Sequence, residues 1–275
     1  MEKCAQKEFD RASIVKRCPA SAALTRRWTL HRLRRWYSIG RHTMVIGREM
    51  AFMARMATCG ILSGVFLLLI SAFALPQAPA SIPGLPGTLT WQNAPSSWHF
   101  DTDNSALTIS AGAKTDWFVD PFDGTVANSA PILLFKPDSD YVLSTKVTIN
   151  FATKWDAGAL MLWGDDHHWA KLSFEFSPDR VPTLVTVVTR GLSDDCNSKE
   201  LRNDSVYLRI AKSAKTYVLY FSVDGHEWQI LRTFSLDTEM PIRVGFEAQS
   251  PAGTGAVAKF SAISYDPHRI SNIYK

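Results

Sequence analysis

The feature that most constrains the fold is a series of short apolar runs, each ended by turn-forming residues, in the last two thirds of the chain. The runs are rich in Val, Ile, Thr, Tyr and Phe, and they are separated by clusters of Gly, Pro, Asn and Asp. Long helical periodicity is nearly absent. This pattern is typical of an all-β sandwich or jelly roll of two antiparallel sheets. The Asp224-Gly225 pair between two apolar runs is the strongest hairpin signal. The predicted strands are 106–111, 132–135, 141–151, 158–163, 169–176, 183–190, 206–211, 216–223, 227–234, 242–248 and 257–265.

Residues 50–74 have the parts of an export segment. Arg48 and Arg55 accompany an uncharged apolar stretch that ends in Ala72-Phe73-Ala74, as in a secretory signal with a small-residue cleavage site. The uncharged run is also close to the roughly 20 residues of a spanning helix, so an uncleaved N-terminal anchor helix is the alternative. Small residues within the run favour cleavage. We therefore expect a secreted, periplasmic or extracellular protein, or else a membrane-anchored one with its domain outside the cytoplasm.

The residues before this segment are basic. They contain no acidic residue between Arg11 and Arg48, which is typical of a transit peptide or a basic interaction arm. A plainer interpretation is that translation starts at Met50, Met53 or Met56. The predicted organisation is a basic leader or mis-assigned start at 1–49, the signal or anchor at 50–74, a Pro/Gly-rich linker at 75–88, a β domain at 89–266 and a tail at 267–275.

The net charge of +4 belongs to the leader rather than to the domain. Up to Ala74 there are 13 Lys and Arg against 4 Asp and Glu, and after it 17 against 22. The acidic domain therefore lacks the clustered basic residues that nucleic-acid binding needs. We expect membrane contact only through an uncleaved N-terminal segment. Since Cys196 is the one cysteine after Ala74, an internal disulfide is excluded and the core alone must stabilise the domain.

The run 169–176 shows the strand period most clearly. Alternation by two places Ala170, Leu172, Phe174 and Phe176 on a face that belongs to the core. The other face carries Trp169, Lys171, Ser173 and Glu175. Such a face is either ordinary solvated sheet or the lining of a groove, and from the strand alone the solvated sheet is favoured.

The order of several short motifs resembles the DUF1349 (regulator-of-enolase-like) family, which has a concanavalin A-like, laminin G-like jelly-roll fold. The resemblance extends from Trp91 to Phe260. It is carried by Trp91-Gln-Asn-Ala-Pro-Ser-Ser-Trp98, Thr115-Asp-Trp-Phe118, Asp156-Ala-Gly-Ala-Leu-Met161, Trp169-Ala-Lys171 with Glu175, Thr186-Val-Val-Thr189 with Ser193-Asp194, Leu208-Arg209, Ser222-Val-Asp-Gly-His-Glu-Trp228, and Val244-Gly245 through Ser250-Pro251.

The chain departs from the family pattern at two places. The family usually has Asp-Gln-Ala-Gly where this chain has Asp156-Ala157-Gly158-Ala159, so a polar side chain is missing. Its Ser-Asp-Trp becomes Ser193-Asp194-Asp195, which removes an aromatic ring. If these positions hold a ligand in relatives, the specificity of this chain has changed or its site has weakened.

Catalysis is not predicted, and no catalytic residue is assigned. Related concanavalin-like glucanases place their carboxylates in a Glu-x-Asp-x-x-Glu run, whereas Glu175 is followed by Phe176, Ser177 and Pro178. A hydrolase would therefore need carboxylates from different strands. The run Asp165-Asp166-His167-His168 is interpreted as a polar hairpin loop rather than a metal site, because adjacent side chains on an extended chain point to opposite faces. No cofactor is expected.

The favoured function is an exported, non-enzymatic module that binds a glycan or another small polar ligand. Sugar rings stack on aromatic faces while charged side chains bond their hydroxyls, and ligand sites typically combine such groups. The alternatives are a glycoside hydrolase-like enzyme and a structural or protein-interaction domain. The candidate ligand-binding residues are Trp155, Asp156, Trp163, Trp169, Lys171, Glu175, Thr189, Asp194 and Arg209.

Overall fold

The computed structural model describes residues 77–79 and 81–274, so the predicted leader and export segment lie outside the described residues. The described part is all-β, and it contains no helix that could cross a membrane. Its strands are β1 (Thr90–Gln92), β2 (Ser97–Asp101), β3 (Ala106–Gly112), β4 (Trp117–Val119), β5 (Val126–Asn128), β6 (Ile132–Phe135), β7 (Tyr141–Ile149), β8 (Ala157–Asp165), β9 (His168–Phe176), β10 (Pro182–Arg190), β11 (Leu192–Glu200), β12 (Ser205–Ser213), β13 (Thr216–Ser222), β14 (Gln229–Ser235), β15 (Arg243–Gln249) and β16 (Gly255–Asp266).

The strands form a sandwich of two seven-stranded antiparallel sheets. The first sheet has the order β1-β6-β15-β8-β9-β10-β11, and the second has the order β14-β13-β12-β7-β16-β3-β2. A small third sheet pairs β4 with β5. The predicted fold class is thereby confirmed as an all-β sandwich of two antiparallel sheets.

The main core lies between the two large sheets and follows the period of two. On β9, Ala170, Leu172 and Phe174 point into it, as the alternation predicts. The two sheets approach closely at Gly158, where an added Cβ would lie 2.9 Å from the Cβ of Ala258 in the opposite sheet. The buried core on the first sheet comprises chiefly Leu160, Leu162, Leu172, Phe174, Leu184 and Phe246, and on the second sheet Leu107, Ile109, Leu143, Val147, Leu208 and Phe260.

The outer face of the first sheet is also covered, so the expectation of a solvated face is wrong. The segment that carries β4 and β5 packs on it, and Trp117 at its centre is fully buried. Trp117 lies edge-on to Trp163 and Trp169, with ring centroids 6.5 and 6.2 Å apart, and its Nε1 donates to Ala130 O at 2.8 Å. A second hydrophobic cluster therefore replaces water on half of this face.

Each of the eleven predicted runs contains a strand, but five strands were missed. The hairpin at Asp224-Gly225 is also present, and Gly225 has φ 83°, the conformation that favours glycine. The missed strands are β1, β2, β4, β5 and β11. β11 reads Leu-Ser-Asp-Asp-Cys-Asn-Ser-Lys-Glu and lacks any apolar alternation. It is a strand because it pairs with the edge of β10.

Candidate functional site

A cavity of about 400 Å³ lies on the outer face of the first sheet. Strands β9, β10, β11 and β15 contribute its floor, and the β4 segment and three turns form its walls. We call it the Lys171 pocket. Its lining comprises four carboxylates, one ammonium, two carboxamides, two aromatic rings and four apolar side chains: Asp116, Phe118, Asp120, Trp155, Lys171, Glu175, Pro178, Val185, Val187, Asp195, Asn197, Gln249 and Pro251.

Strand register brings the charged residues of the floor together. Lys171 and Glu175 alternate onto the outer face of β9, and Glu247 and Gln249 onto the outer face of β15. β8 lies between these strands and contributes the small residues Ala157, opposite Glu175 and Gln249, and Ala159, opposite Glu247. Because these methyl groups do not fill the space, the long polar side chains on either side reach toward each other across β8.

The Lys171 ammonium has a protein acceptor for each of its three protons. It donates to Trp117 O at 2.8 Å, to Gln249 Oε1 at 2.6 Å and to Asp116 Oδ1 at 3.3 Å. The residue is 2 % exposed. Lys171 therefore joins the floor of the pocket to the β4 segment, and it has no proton left to donate to a ligand.

Burial shifts the pKa values of the acidic groups around this ammonium. Removal from water raises the pKa of Glu175 to about 8, because the attraction of Lys171 offsets the burial only in part. Burial likewise raises the pKa of Glu247 to about 7, against the same attraction. For Lys171, burial alone would lower the pKa, but Glu247, Asp116 and Glu175 outweigh it and raise the value. One buried ammonium thus interacts with three carboxyl groups, those of Glu247, Asp116 and Glu175.

Glu247 is unusual among these groups because nothing bonds to it. It is fully buried, and neither carboxyl oxygen has a hydrogen-bond partner among the described residues. The hydroxyl of Ser173, on the same face and two strands away, is in the same condition. Buried polar groups are normally paired, so these two residues are exceptions, although neither of them lines the pocket.

Trp155 forms one wall of the pocket in a strained conformation. Its φ of 69° lies in the left-handed region, which a bulky residue adopts only when its surroundings require it. Its backbone N–H donates to Phe176 O at 2.6 Å and its carbonyl accepts from Gln249 Nε2 at 3.0 Å. The indole is 37 % exposed, and the Lys154 ammonium lies 4.2 Å from its ring centroid. These two backbone hydrogen bonds therefore hold the strained residue in place, with its indole at the mouth of the cavity.

The next residue, Asp156, fixes the turn that carries Trp155. Its carboxylate is fully buried and accepts the backbone N–H groups of Ala152 at 3.1 Å and Thr153 at 2.7 Å, and the Ser250 hydroxyl at 2.7 Å. An added Cβ at Gly253 would lie 2.4 Å from that hydroxyl, so the turn packs closely. Asp156 is a structural residue of the pocket wall and does not line the cavity.

The structure brings together some of the candidate residues and separates others. Trp155, Lys171 and Glu175 line the pocket. Trp169 and Trp163 lie on the same outer face but pack against Trp117, and Trp169 is fully buried. These two rings therefore belong to the second hydrophobic cluster and do not line the Lys171 pocket.

Three other candidate residues also lie outside the cavity. Thr189 is buried, and its hydroxyl bonds the Ser193 hydroxyl at 2.8 Å, which accepts Val119 N–H at 2.9 Å and so anchors β4. Asp194 points away because alternate residues of β11 face opposite sides, and it pairs with Arg232 at 2.6 Å.

Arg209 belongs to β12 in the other sheet. There its guanidinium carbon lies 3.5 Å from the centroid of the Trp228 ring. This distance is typical of a cation–π contact on the outer face of the second sheet. Arg209 therefore cannot take part in the Lys171 pocket, and its expected place in the site is corrected.

Sequence reasoning missed most of the polar lining. Asp116, Asp195, and Gln249 with the nearby Glu247 reach the site from three separate segments. A signal existed for Glu247, since a carboxylate within the apolar run 242–248 is out of place in a core strand. Both departures from the family pattern fall here as well, because Asp195 lines the pocket and Ala157 adjoins it.

A larger cleft, of about 910 Å³, lies elsewhere on the domain. Its lining mixes Lys136, Lys212 and Lys215 with Asp237 and Glu239, and most of these side chains are exposed. The predicted hairpin loop contributes His168, whose Nδ1 lies 2.9 Å from Asp165 Oδ1. No group of three or more metal-ligating side chains occurs in the described residues. The Lys171 pocket is the better candidate, because buried charges converge there.

The raised pKa of Glu175 predicts a pH-dependent effect of Glu175→Gln. The unfolded carboxyl ionises near its ordinary value of 4.5, so its contribution to stability is fully present below that pH and is lost as the pH rises toward 8. The amide cannot ionise. We therefore expect the variant to unfold at nearly the same denaturant concentration as the parent at about pH 5 and to be more stable by about 1–3 kcal/mol at about pH 9. An equal pH dependence for both proteins, or one shared by the exposed Glu200→Gln, would contradict this explanation.

Comparison with known proteins gives one family and several similar folds. The family described as "Protein of unknown function (DUF1349)" matches residues 91–268. A functionally unknown protein from Saccharomyces cerevisiae aligns with a TM-score of 0.60 and 27% identity, over 65% of this chain and 95% of its own. No curated protein matches the sequence.

Two enzymes of known structure share the fold over part of their length. The GH43 BlXynB protein from Bacillus licheniformis has a TM-score of 0.51 at 16% identity, over 63% of this chain and 35% of its own. A xylan beta-1,4-xylosidase from Bacillus Halodurans C-125 has a TM-score of 0.52 at 16% identity, over 70% of this chain and 41% of its own. This chain spans well under half the length of each enzyme, and the similarity concerns the fold alone.

Proposed function

The chain belongs to the DUF1349 family, and we propose that its domain is a concanavalin A-like jelly roll that binds a carbohydrate in the Lys171 pocket without catalysis. The observation that carries the proposal is the make-up of this cavity: the part-exposed indole of Trp155 and the ring of Phe118 in its lining, and buried carboxyl and amide groups in the floor. Sugars present both apolar ring faces and hydroxyl groups, so they match a pocket with an aromatic wall and a few oriented polar groups.

Binding is favoured over hydrolysis by the placement of the carboxyl groups. A retaining glycosidase needs two of them about 5–5.5 Å apart and an inverting one about 6.5–9.5 Å apart, in both cases beside the bound sugar. The buried acids Glu175 and Glu247 stand on β9 and β15, which β8 separates, so their backbones are roughly 10 Å apart. Of the two, only Glu175 lines the cavity. Asp116 is engaged with the Lys171 ammonium at 3.3 Å.

Trp155→Ala tests the proposal. Removing the indole should weaken oligosaccharide binding at least about tenfold, because a sugar ring that stacks on this aromatic face would lose both its contact area and its orientation. The probes are a glycan array of neutral, N-acetylated, amino and acidic oligosaccharides, followed by calorimetry with the best binder. Xylan is included because one protein with a similar fold is a xylan beta-1,4-xylosidase.

The matched control for this variant is Phe122→Ala. Phe122 is 97 % exposed and does not line the pocket, so its removal should leave both affinity and stability unchanged. Binding that survives Trp155→Ala, or an array on which the parent protein binds no glycan, would refute the proposed function. The third class, a structural or protein-interaction domain, would then be the better interpretation.

One observation favours the alternative, a hydrolase with carboxylates from different strands. A pKa of about 8 keeps Glu175 protonated at neutral pH, as a general acid requires. Reducing-sugar release from xylan by the parent protein, abolished in Glu175→Gln, would establish the enzyme. Sugar binding by both proteins without release would exclude it.

We also propose that the domain works outside the cytoplasm. The proposal is supported by the apolar segment that ends at Ala74 and by the small-residue pattern Ala78-Pro79-Ala80 that follows it. N-terminal sequencing of the protein from its native source should find a chain that begins within residues 75–81. An intact leader in a cytoplasmic fraction would contradict it.

A further inference from the structure

The walls of the Lys171 pocket carry a surplus of negative charge. Asp116, Asp120, Glu175 and Asp195 line the cavity, while Lys171 is the single cation in the lining. Glu247 adds a further carboxyl group close enough to act on Lys171. Even with Glu175 protonated, three lining carboxylates remain against one ammonium. A ligand that brings negative charge would therefore be repelled, and one that brings positive charge would be attracted.

The hydrogen-bonding capacity that is free for a ligand is also one-sided. All three protons of Lys171 are taken, and the Gln249 amide donates to Trp155 O at 3.0 Å. Glu175 has no hydrogen-bond partner within residues 77–79 and 81–274, and Asp195 meets only the backbone N–H of Cys196. The free amide donors of the lining are those of Asn197 and the second N–H of Gln249. The pocket thus presents acceptors, and it suits a ligand rich in donors.

A metal ion does not fit this arrangement. Within the described part of the chain, no three metal-ligating side chains are grouped closely enough to hold one. The free carboxylates instead come from β9, β11 and the wall that holds Asp120. Acceptors dispersed around an aromatic wall match donors dispersed around an organic ring.

We propose that the Lys171 pocket selects a sugar that carries a free ammonium group over neutral and acidic sugars, because its lining has more acidic than basic side chains and offers free carboxyl oxygens beside an aromatic wall. The inference rests on the proposed function, carbohydrate binding at this pocket, and names the class of sugar. An ammonium group has three donors and one positive charge, so it bonds a carboxylate such as that of Asp195 more strongly than a hydroxyl group does and keeps donors for further acceptors.

Three β-1,4-linked hexasaccharides that differ only in the substituent at C2 test this inference. They are the glucosamine hexamer, the N-acetylglucosamine hexamer and cellohexaose, titrated calorimetrically into the full chain at a mildly acidic pH at which the amino groups are protonated. We expect the glucosamine hexamer to bind at least about tenfold more tightly than cellohexaose, which corresponds to about 1.4 kcal/mol. Glucuronic acid oligomers should bind more weakly than cellohexaose.

Asp195→Asn separates the local effect from the general attraction of an acidic domain for cations. This variant should lose most of the preference for the glucosamine hexamer over cellohexaose, measured as the ratio of the two affinities. Asp237→Asn is the matched control, since Asp237 is an exposed carboxylate outside the Lys171 pocket, and it should keep the full preference. An equal loss in both variants would overturn the inference.

The remaining outcomes distinguish the inference from the function on which it rests. Equal affinity for cellohexaose and the glucosamine hexamer would overturn the selectivity and leave carbohydrate binding intact. No binding of any hexasaccharide would overturn both. Trilysine that binds as tightly as the glucosamine hexamer would show that the pocket recognises ammonium groups without a sugar, and this result also overturns the inference.

Discussion

Lys171→Met should destabilise the domain by about 3–5 kcal/mol, which is the usual cost of removing one partner from a buried ionic group. The methionine has a similar length and fills most of the volume of the lysine. It leaves Glu175, Glu247 and Asp116 without the ammonium that now compensates them, and it leaves Trp117 O and Gln249 Oε1 without their donor. Chemical denaturation followed by tryptophan fluorescence measures the loss.

The loss should depend on pH in a definite direction. Without the ammonium, the pKa values of Glu175 and Glu247 in the folded state rise above the present values of about 8 and 7. The unfolded carboxyl groups still ionise near 4.5, so stability is present below that pH and is lost as the pH rises. We expect Lys171→Met to be less destabilised at about pH 5 than at about pH 8.

Lys259→Met is the matched control, because Lys259 is an exposed lysine within a strand of the second sheet. This change should alter stability by no more than about 0.5 kcal/mol at either pH. A Lys171→Met protein that is as stable as the parent at both pH values would mean that the carboxyl groups are already uncharged. It would remove the basis for the charge network described above.

Asp156→Ala should cost about 3 kcal/mol and should also abolish ligand binding. The alanine leaves the backbone N–H groups of Ala152 and Thr153 without their acceptor and the Ser250 hydroxyl without a partner. The turn then loses the contacts that hold Trp155 at φ 69°, and the indole no longer stands at the mouth of the pocket. Thermal unfolding and the oligosaccharide titration measure the two effects.

Asp156→Asn is the conservative variant with which Asp156→Ala is compared. The asparagine keeps one acceptor oxygen for the two N–H groups and can donate to Ser250, so it should cost only about 1 kcal/mol and retain most of the affinity. Asp179→Ala, at an exposed turn position, should change neither property. If Asp156→Ala lost stability but bound the ligand as before, the turn would not be what positions Trp155.

The strands differ in whether local sequence pattern predicts them. Runs such as 169–176 and 183–190 were predictable because each strand buries at least one whole face, which imposes apolar residues at alternate positions. β11 was not predictable, since Leu192–Glu200 has mainly polar residues and forms a strand only against the edge of β10. The same holds for β4, whose three residues are held in place by Trp117 and by the bond from Val119 N–H to Ser193.

The candidate site divides in the same way. Lys171 and Glu175 were predictable as a pair, because positions four apart on a strand share a face. Arg209 was misplaced, since its strand lies in the other sheet, and sequence order does not reveal which sheet a strand joins. Trp169 was misplaced because the segment that covers its face lies some fifty residues earlier in the chain.

By itself, the sequence determined that this protein is a β-sandwich, which side of the strand at 169–176 packs in the core, and that Lys171 and Glu175 stand on the face opposite that core. Only the tertiary structure decided that this face is covered rather than solvated, and that Asp116, Asp195, Glu247 and Gln249 meet Lys171 there. The physical reason is the range of the interactions. Alternation is a property of neighbouring residues, whereas a buried ammonium needs acceptors that strand pairing gathers from distant parts of the chain.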